Sequence, residues 1–198
     1  NEDYREADRM QRRVQGHYSE NYQPLGSLEI TYPEGEITEY RRLLDISSAH
    51  AEVTYRKDGK LFKAEYIASA PDSVIVIRLS SEAPIEASIT LDSQLPHHTS
   101  ASGNMLISDG YAAWHSYPNY YYNFKERFLY DPDRGIHYRT VVSCEGAVAQ
   151  EGKLVISGVK VATIRIVNST SFAGFDRDPV KEGKEYKEAA IKNMALAM

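Results

Sequence analysis

Val74-Ile-Val-Ile-Arg-Leu79, introduced by Asp72-Ser73, is apolar at five of its six positions. β-Branched residues suit a pleated strand. A strand with one face in water alternates polar and apolar residues, and this one does not. The run therefore predicts a central strand covered on both faces. Beyond it, Ile85–Leu91 alternates as a half-buried strand does, and Pro84 is expected to part the two, since proline cannot donate to a ladder. Upstream, Val53 and Tyr55 share a face of the strand Glu52–Arg56, Asp58-Gly59 marks a hairpin turn, and Leu61–Ser69 returns. Before these, Tyr22-Gln-Pro-Leu-Gly26 reads as a turn leading into the strand Ser27–Tyr32.

Downstream the pattern repeats. Met105–Ile107 is a short strand ending at Asp109-Gly110. The residues 111–122 are aromatic and irregular. Gly135–Ser143 alternates again, and Lys153–Ser157 and Val159–Val167 are expected as two strands joined at Gly158. About nine or ten short, hairpin-linked strands predict an all-β fold, a large antiparallel β-sandwich. Helices are predicted only at the ends. Ala7, Met10 and Val14 recur at helical spacing in Glu2–Gln15, with Gly16 as the stop, and Lys184–Met198 forms a closing helix. No fixed-period repeat appears. Gly174, Pro179, Gly183 and several charges in 168–187 mark the one boundary, which divides a β domain at 1–175 from a linker and helix at 176–198. The opening Asn1-Glu-Asp-Tyr carries neither an initiator Met nor signal-peptide features, and the last helix has no closing signal. The chain is expected to be a piece of a longer polypeptide.

Composition narrows the function. The chain has 198 residues, 42% hydrophobic and 26% charged, as an ordinary globular domain does. A net charge of −5 argues against a nucleic-acid partner, which calls for a basic face. No apolar run approaches the ~20 residues of a membrane helix. Cys144, the single cysteine, excludes an internal disulfide and reads as a buried structural thiol at a strand end. Tyrosine stands out at 15 residues. It suits half-buried strands, and it also suits sugar binding, because the ring stacks while the hydroxyl bonds.

No constellation of catalytic type emerges from spacing. His97-His98 point to opposite faces of a strand, His115 and His137 are isolated, and no paired-ligand signature exists, so no metal and no cofactor are expected. Asp131 and Asp133, and Asp176 and Asp178, are the carboxylates that glycoside hydrolysis would need. Both pairs stand beside Pro and Gly, where Asp caps turns, and the turn reading is preferred. Trp114-His-Ser-Tyr-Pro-Asn-Tyr-Tyr-Tyr122 is the most suggestive stretch. Aromatic loops on a rigid sandwich carry sugar platforms, and they also cover interfaces. Trp114, His115, Tyr117 and Tyr120 are the candidate substrate-binding residues.

Five ordered segments resemble glycoside hydrolase family 95, the α-L-fucosidase family. They are Tyr22-Gln-Pro-Leu-Gly-Ser-Leu28, where Ser27 replaces the usual Asp, Tyr40-Arg-Arg-Leu-Leu-Asp45, Phe62–Asp72 with Val74–Leu79, Asp133-Arg-Gly-Ile-His-Tyr138, and Asn168–Phe175. The resemblance implies an N-terminal β-supersandwich of galactose-mutarotase-like fold, incomplete in its opening strands. It further implies a following helical linker and an (α/α)6 catalytic domain of the same polypeptide. The parent would be an inverting fucosidase or galactosidase acting on fucosylated glycans in the periplasm or outside the cell. The family's catalytic carboxylates sit in its helical barrel, and no residue here matches them. The expected role is therefore a non-catalytic domain that supports the barrel and lines its cleft, the fragment alone being inactive. The alternatives are a stand-alone carbohydrate-binding module, and an enzyme in its own right using Asp131 or Asp133.

Overall fold

A computed structural model describes residues 3–16, 19–120 and 123–198. Helix α1 (Tyr4–Val14) is capped by Asp3, whose carboxylate accepts from the amide of Glu6. Among the described residues twelve strands follow: β1 (Ser27–Thr31), β2 (Ile37–Asp45), β3 (His50–Lys57), β4 (Lys60–Ser69), β5 (Val74–Asp92), β6 (His97–Ser102), β7 (Met105–Tyr111), β8 (His115–Ser116), β9 (Phe128–Leu129), β10 (His137–Glu145), β11 (Ala147–Gln150) and β12 (Lys153–Thr170). Helix α2 (Tyr186–Ala197) ends the chain. The strands pair antiparallel throughout, in a ten-stranded sheet of order β2-β3-β4-β5-β12-β10-β7-β6, with β1 added to β5 and β11 to β12. Strands β8 and β9 form a separate ribbon.

The sheet becomes a sandwich because β5 and β12 are long enough to bend. Val161–Ile166 of β12 pairs with Ile75–Ser80 of β5 in the lower layer. Leu154–Ile156 pairs with Ala87–Ile89 in the upper one, where β1 and β11 complete the layer. Between the two the register shifts, and Ser81–Pro84 have no ladder partner on β12. Pro84 and Gly158 thus bend continuous strands, where separate strands were expected at both places. Proline is tolerated there because no ladder donor is missed, and Gly158 adopts the positive φ of +75° that a bulge requires. Strands β2, β6, β8, β9 and β11 are additions to the sequence-predicted set, β8 lying in a stretch read as irregular.

Leu79, Ile89, Leu106, Leu154, Ile156 and Ile164 are fully enclosed between the layers. On the outer face of the lower layer, Val74, Val141 and Val167 pack against Ala190 and Met194 of α2, which lie four residues apart on one helical face. The run Val74–Leu79 is thus covered on both sides over part of its length, with Val74 and Val76 toward α2 and Ile77 and Leu79 toward the inner core, while Ile75 stays 42% exposed and Arg78 is exposed. Cys144 is wholly buried in the inner core, and burial pushes its thiol up to about 12. It is a structural thiol and not a nucleophile at neutral pH.

Tyr138 projects from β10 into the inner core, opposite Gly110 on β7. A Cβ at Gly110 would come within 2.6 Å of the Tyr138 hydroxyl, so glycine makes room for the ring. Among the described residues that hydroxyl is buried without a hydrogen-bond partner. Burial raises its pKa; the Ser93 and Ser108 hydroxyls temper the rise from nearby, without bonding geometry. A buried unsatisfied hydroxyl costs about 1–3 kcal/mol. Tyr138→Phe is therefore expected to leave stability unchanged or raise it by up to about 1 kcal/mol. A loss of about 2 kcal/mol in urea unfolding would show that the hydroxyl has a partner after all.

Candidate functional site

The aromatic segment leaves the sheet at the end of β7 and returns at the start of β10. Its stem is closed where the Ala112 amide donates to the Ile136 carbonyl at 2.9 Å. Trp114 and Tyr117 flank the short β8, their amides donating to the carbonyls of Leu129 and Arg127 at 3.0 and 2.9 Å. Ring contacts run in series. Trp114 lies 5.4 Å from His115, and His115 meets Tyr117 edge-on at 4.6 Å. Tyr117 stacks on Phe124 at 3.8 Å, within 5° of parallel. The guanidinium of Arg134 sits 3.4 Å over the Trp114 ring, a cation–π contact that fixes its plane.

A distant segment holds this strip in place. Glu20 accepts from the Ser116 amide at 2.8 Å and the Ser116 hydroxyl at 3.1 Å, and its other oxygen meets Nδ1 of His115 at 2.7 Å. Burial alone would raise the Glu20 carboxyl. The bonds from His115 and Ser116 outweigh that and hold it below the usual range. Gln23 clamps both backbone groups of Ala113, accepting from its amide at 2.8 Å and donating to its carbonyl at 3.3 Å. The turn carrying Gln23 has its own reason for glycine, because a Cβ at Gly26 would meet the Asp92 carbonyl at 2.6 Å.

The structure thus brings Trp114, His115 and Tyr117 into one strip. Tyr120 stands beyond it, 60% exposed, lining a shallow hollow with Ser19, Asn21, Pro118 and Asn119. Tyr121 and Tyr122, part of the same sequence-predicted stretch, lie outside the described residues. Glu20, Gln23 and Arg134 belong to the site and were not among its sequence candidates. The only signal for Gln23 is its place in the Tyr22-Gln-Pro-Leu-Gly26 segment.

Of the carboxylates read from the sequence, Asp131 and Asp178 are turn formers here. Asp131 accepts from the Asp133 amide at 2.9 Å, and Asp178 accepts from those of Val180 and Lys181. Those two amides hold the Asp178 carboxyl below its ordinary range. His97 and His137 contact the carbonyls of Leu95 and Pro132. A trio absent from the sequence candidates, His50, Glu52 and Glu65, gathers ligand atoms within 4.8 Å, because the β3–β4 register sets Glu52 opposite Glu65. The ammonium of Lys63 already lies 2.9 Å from both carboxylates, and Arg78 lies 3.6 Å from Glu65, so the negative charge is balanced by the chain itself.

A sandwich of this kind, with an aromatic strip locked at one end, invites comparison with sugar-processing proteins. The model of the family described as glycosyl hydrolase family 65, N-terminal domain, matches residues 1–174. The chain belongs to this family. It is also 27% identical over 190 residues to Alpha-L-fucosidase 2 of Arabidopsis thaliana, an alignment that takes in 86% of this chain. The chain spans 22% of the length of that relative. A solved structure from the human microbiome, provisionally assigned as a kojibiose phosphorylase, superposes with a TM-score of 0.48 at 10% identity, over 86% of this chain and 24% of that one. The family 65 model and the resemblance to family 95 agree in describing a β domain of the N-terminal kind that glycoside hydrolases carry.

Proposed function

We propose that the domain is the non-catalytic N-terminal module of an α-L-fucosidase-like enzyme of the family 95 kind. In this reading residues 176–198 are the linker and helix leading to a helical catalytic domain of the same polypeptide. The strip Trp114–Tyr117 lines one side of that domain's cleft, where a fucosylated glycan enters. The full enzyme works in the periplasm or outside the cell, where such glycans are met. No helix is long and apolar enough to cross a membrane among the described residues. The relative named as a fucosidase and the five ordered segments support the branch.

The observation that carries the cleft assignment is the fixing of Trp114 by Arg134 over its ring and by the bonds of Gln23 and Glu20 to its chain neighbours Ala113 and His115. An indole held in one plane offers a sugar face at little conformational cost. A need for a neighbouring domain is supported by large apolar side chains left in water. Met10 and Val14 of α1 are 56 and 83% exposed, and Phe175 is 98% exposed.

In the longer enzyme carrying this domain, Trp114→Ala is expected to lower kcat/KM on an aryl α-L-fucoside about tenfold or more, mainly through KM. Lost activity with an unchanged melting temperature assigns the residue to the cleft, whereas an unchanged kcat/KM removes it from there. A second reading, a free-standing sugar-binding module, is favoured by a different surface.

A further inference from the structure

The upper layer ends at β1, which pairs with β5 on one edge and with no other strand among the described residues. The lower layer continues past it through β3 to β2, so the inner face of these strands is left open. Four tyrosines meet there from four places in the chain. Tyr32 follows β1, Tyr40 is on β2, Tyr55 on β3 and Tyr66 on β4. Tyr40, Tyr55 and Phe62 form a near-parallel ladder, with centroids 6.3 and 4.8 Å apart and planes within 22° and 21°. Tyr32 closes one wall edge-on to Phe62 at 5.3 Å. Adjoining hollows share these rings, one of them a cleft of about 280 Å³ between Tyr32, Tyr55 and Phe62.

The trough stands apart from the Trp114 strip. Strand register sets Tyr138 and Tyr111 at one end of the lower layer, and Phe62, Ser81 and the β3–β4 turn at the other.

The chemistry of the trough is specific. The trough presents phenols, which offer flat apolar faces and hydroxyls together. Burial raises Tyr32 and Tyr66 and pushes Tyr55 up to about 12, so all three remain neutral donors and acceptors at physiological pH. On the rim of the cleft Lys57 and Lys60 face Glu34, Asp58 and Glu86, so neither sign prevails and a charged ligand gains little. A mostly apolar cleft with a few convergent polar groups is the general form of a small-ligand site. Neutral sugars match it, because a pyranose ring pairs a C–H face with hydroxyls along its edge.

We propose that this tyrosine trough is a second glycan-binding site, taking neutral oligosaccharide with a sugar ring seated against Tyr40 and its hydroxyls toward that of Tyr55. The proposal rests on the glycoside-hydrolase reading only for the class of ligand, and its location is independent of the Trp114 strip.

The test is titration of the 198-residue chain with 2′-fucosyllactose, cellotetraose and maltotetraose, followed by amide chemical shifts. At least one sugar is expected to give saturable shifts confined to residues around Tyr32, Tyr40, Tyr55 and Tyr66. Tyr40 is 58% exposed, so Tyr40→Ala keeps the fold, and it is expected to weaken binding about tenfold. Tyr55→Phe retains the ring and should weaken binding by a smaller factor, while Trp114→Ala should leave it unchanged. No saturable shift with any of the three sugars overturns the trough and leaves the cleft assignment to its own activity measurement. Binding that survives Tyr40→Ala but is lost in Trp114→Ala overturns the trough and places the sugar on the strip.

Discussion

Aspartate in place of Ala190 is expected to lift α2 off the sheet. Ala190 has no exposed surface and packs among Val74, Val141, Val167 and Met194. The nearby Ser143 hydroxyl is already directed at the Met194 sulfur, 3.2 Å away. A carboxylate buried without a cation costs several kcal/mol. The chain escapes that cost either by holding the proton or by releasing the helix, so the observed loss is capped by what docking of α2 contributes. Truncation of a buried methionine such as Met194 to alanine typically costs about 2–5 kcal/mol, which sets the scale of that cap. The expected result is loss of amide-exchange protection across Tyr186–Ala197 while β5, β10 and β12 stay protected, together with faster proteolysis between Gly174 and Lys184. If α2 keeps its protection in the variant, the helix is not held by this interface. Should the sheet lose protection with it, α2 and the sandwich unfold as one cooperative unit.

That outcome bears on how the module would meet the proposed catalytic domain. A helix whose one face is committed to Val74, Val141 and Val167 can direct only its other face elsewhere. Ile191 and Leu196 are 41 and 77% exposed there. In the proposed full enzyme helix α2 would set the direction in which the catalytic domain departs, and the aromatic strip between β7 and β10 lies at the sheet end where Tyr186 approaches His137, 6.1 Å between rings. The proposed cleft and the proposed linker are thus neighbours, as a shared active-site wall requires.

The sandwich was legible where periodicity carried the information. Val74–Leu79 lacks alternation because two different cores claim its two faces, and alternating segments such as Ile85–Leu91 face a single core. Pro84 and Gly158 misled for a physical reason. Both are local punctuation marks, yet the partner strand skips residues at the bend, and no sequence window shows the partner strand. Strand β2 escaped because Tyr40-Arg-Arg-Leu-Leu-Asp45 runs along an edge with nearly every residue exposed, which erases the alternation. The site divides in the same way. The strip Trp114–Tyr117 is contiguous and could be read directly. Glu20 reaches Ser116 from 96 residues away, and Tyr32, Tyr40, Tyr55 and Tyr66 meet only through strand register. Long-range pairing of that kind leaves no trace in local spacing.

Gly135→Ala should have the largest effect on the strip itself, without touching any of its side chains. A Cβ at Gly135 would lie 2.2 Å from the Ala112 carbonyl oxygen and 3.3 Å from that of Asp131. Both obstacles are backbone, so no side chain can swing aside to relieve the clash. The Gly135 amide is also committed, donating to the Asp131 carbonyl at 2.8 Å, and the Ala112 amide next to it donates to Ile136. The stem must therefore open. Overpacking of this kind costs about 1–3 kcal/mol, and the lost stem hydrogen bond adds about 1 kcal/mol. Because Ala113 and Trp114 follow directly on Ala112, and Arg134 precedes Gly135, opening the stem separates the guanidinium from the indole. The expected result is a lower midpoint in urea, a red-shifted and quenched fluorescence of Trp114, the single tryptophan, and in the longer enzyme a loss of kcat/KM at least as great as that of Trp114→Ala. Native tryptophan emission with unaltered stability would mean that the stem yields without cost and does not hold the strip. Native stability with lost activity would instead place Gly135 itself against the substrate.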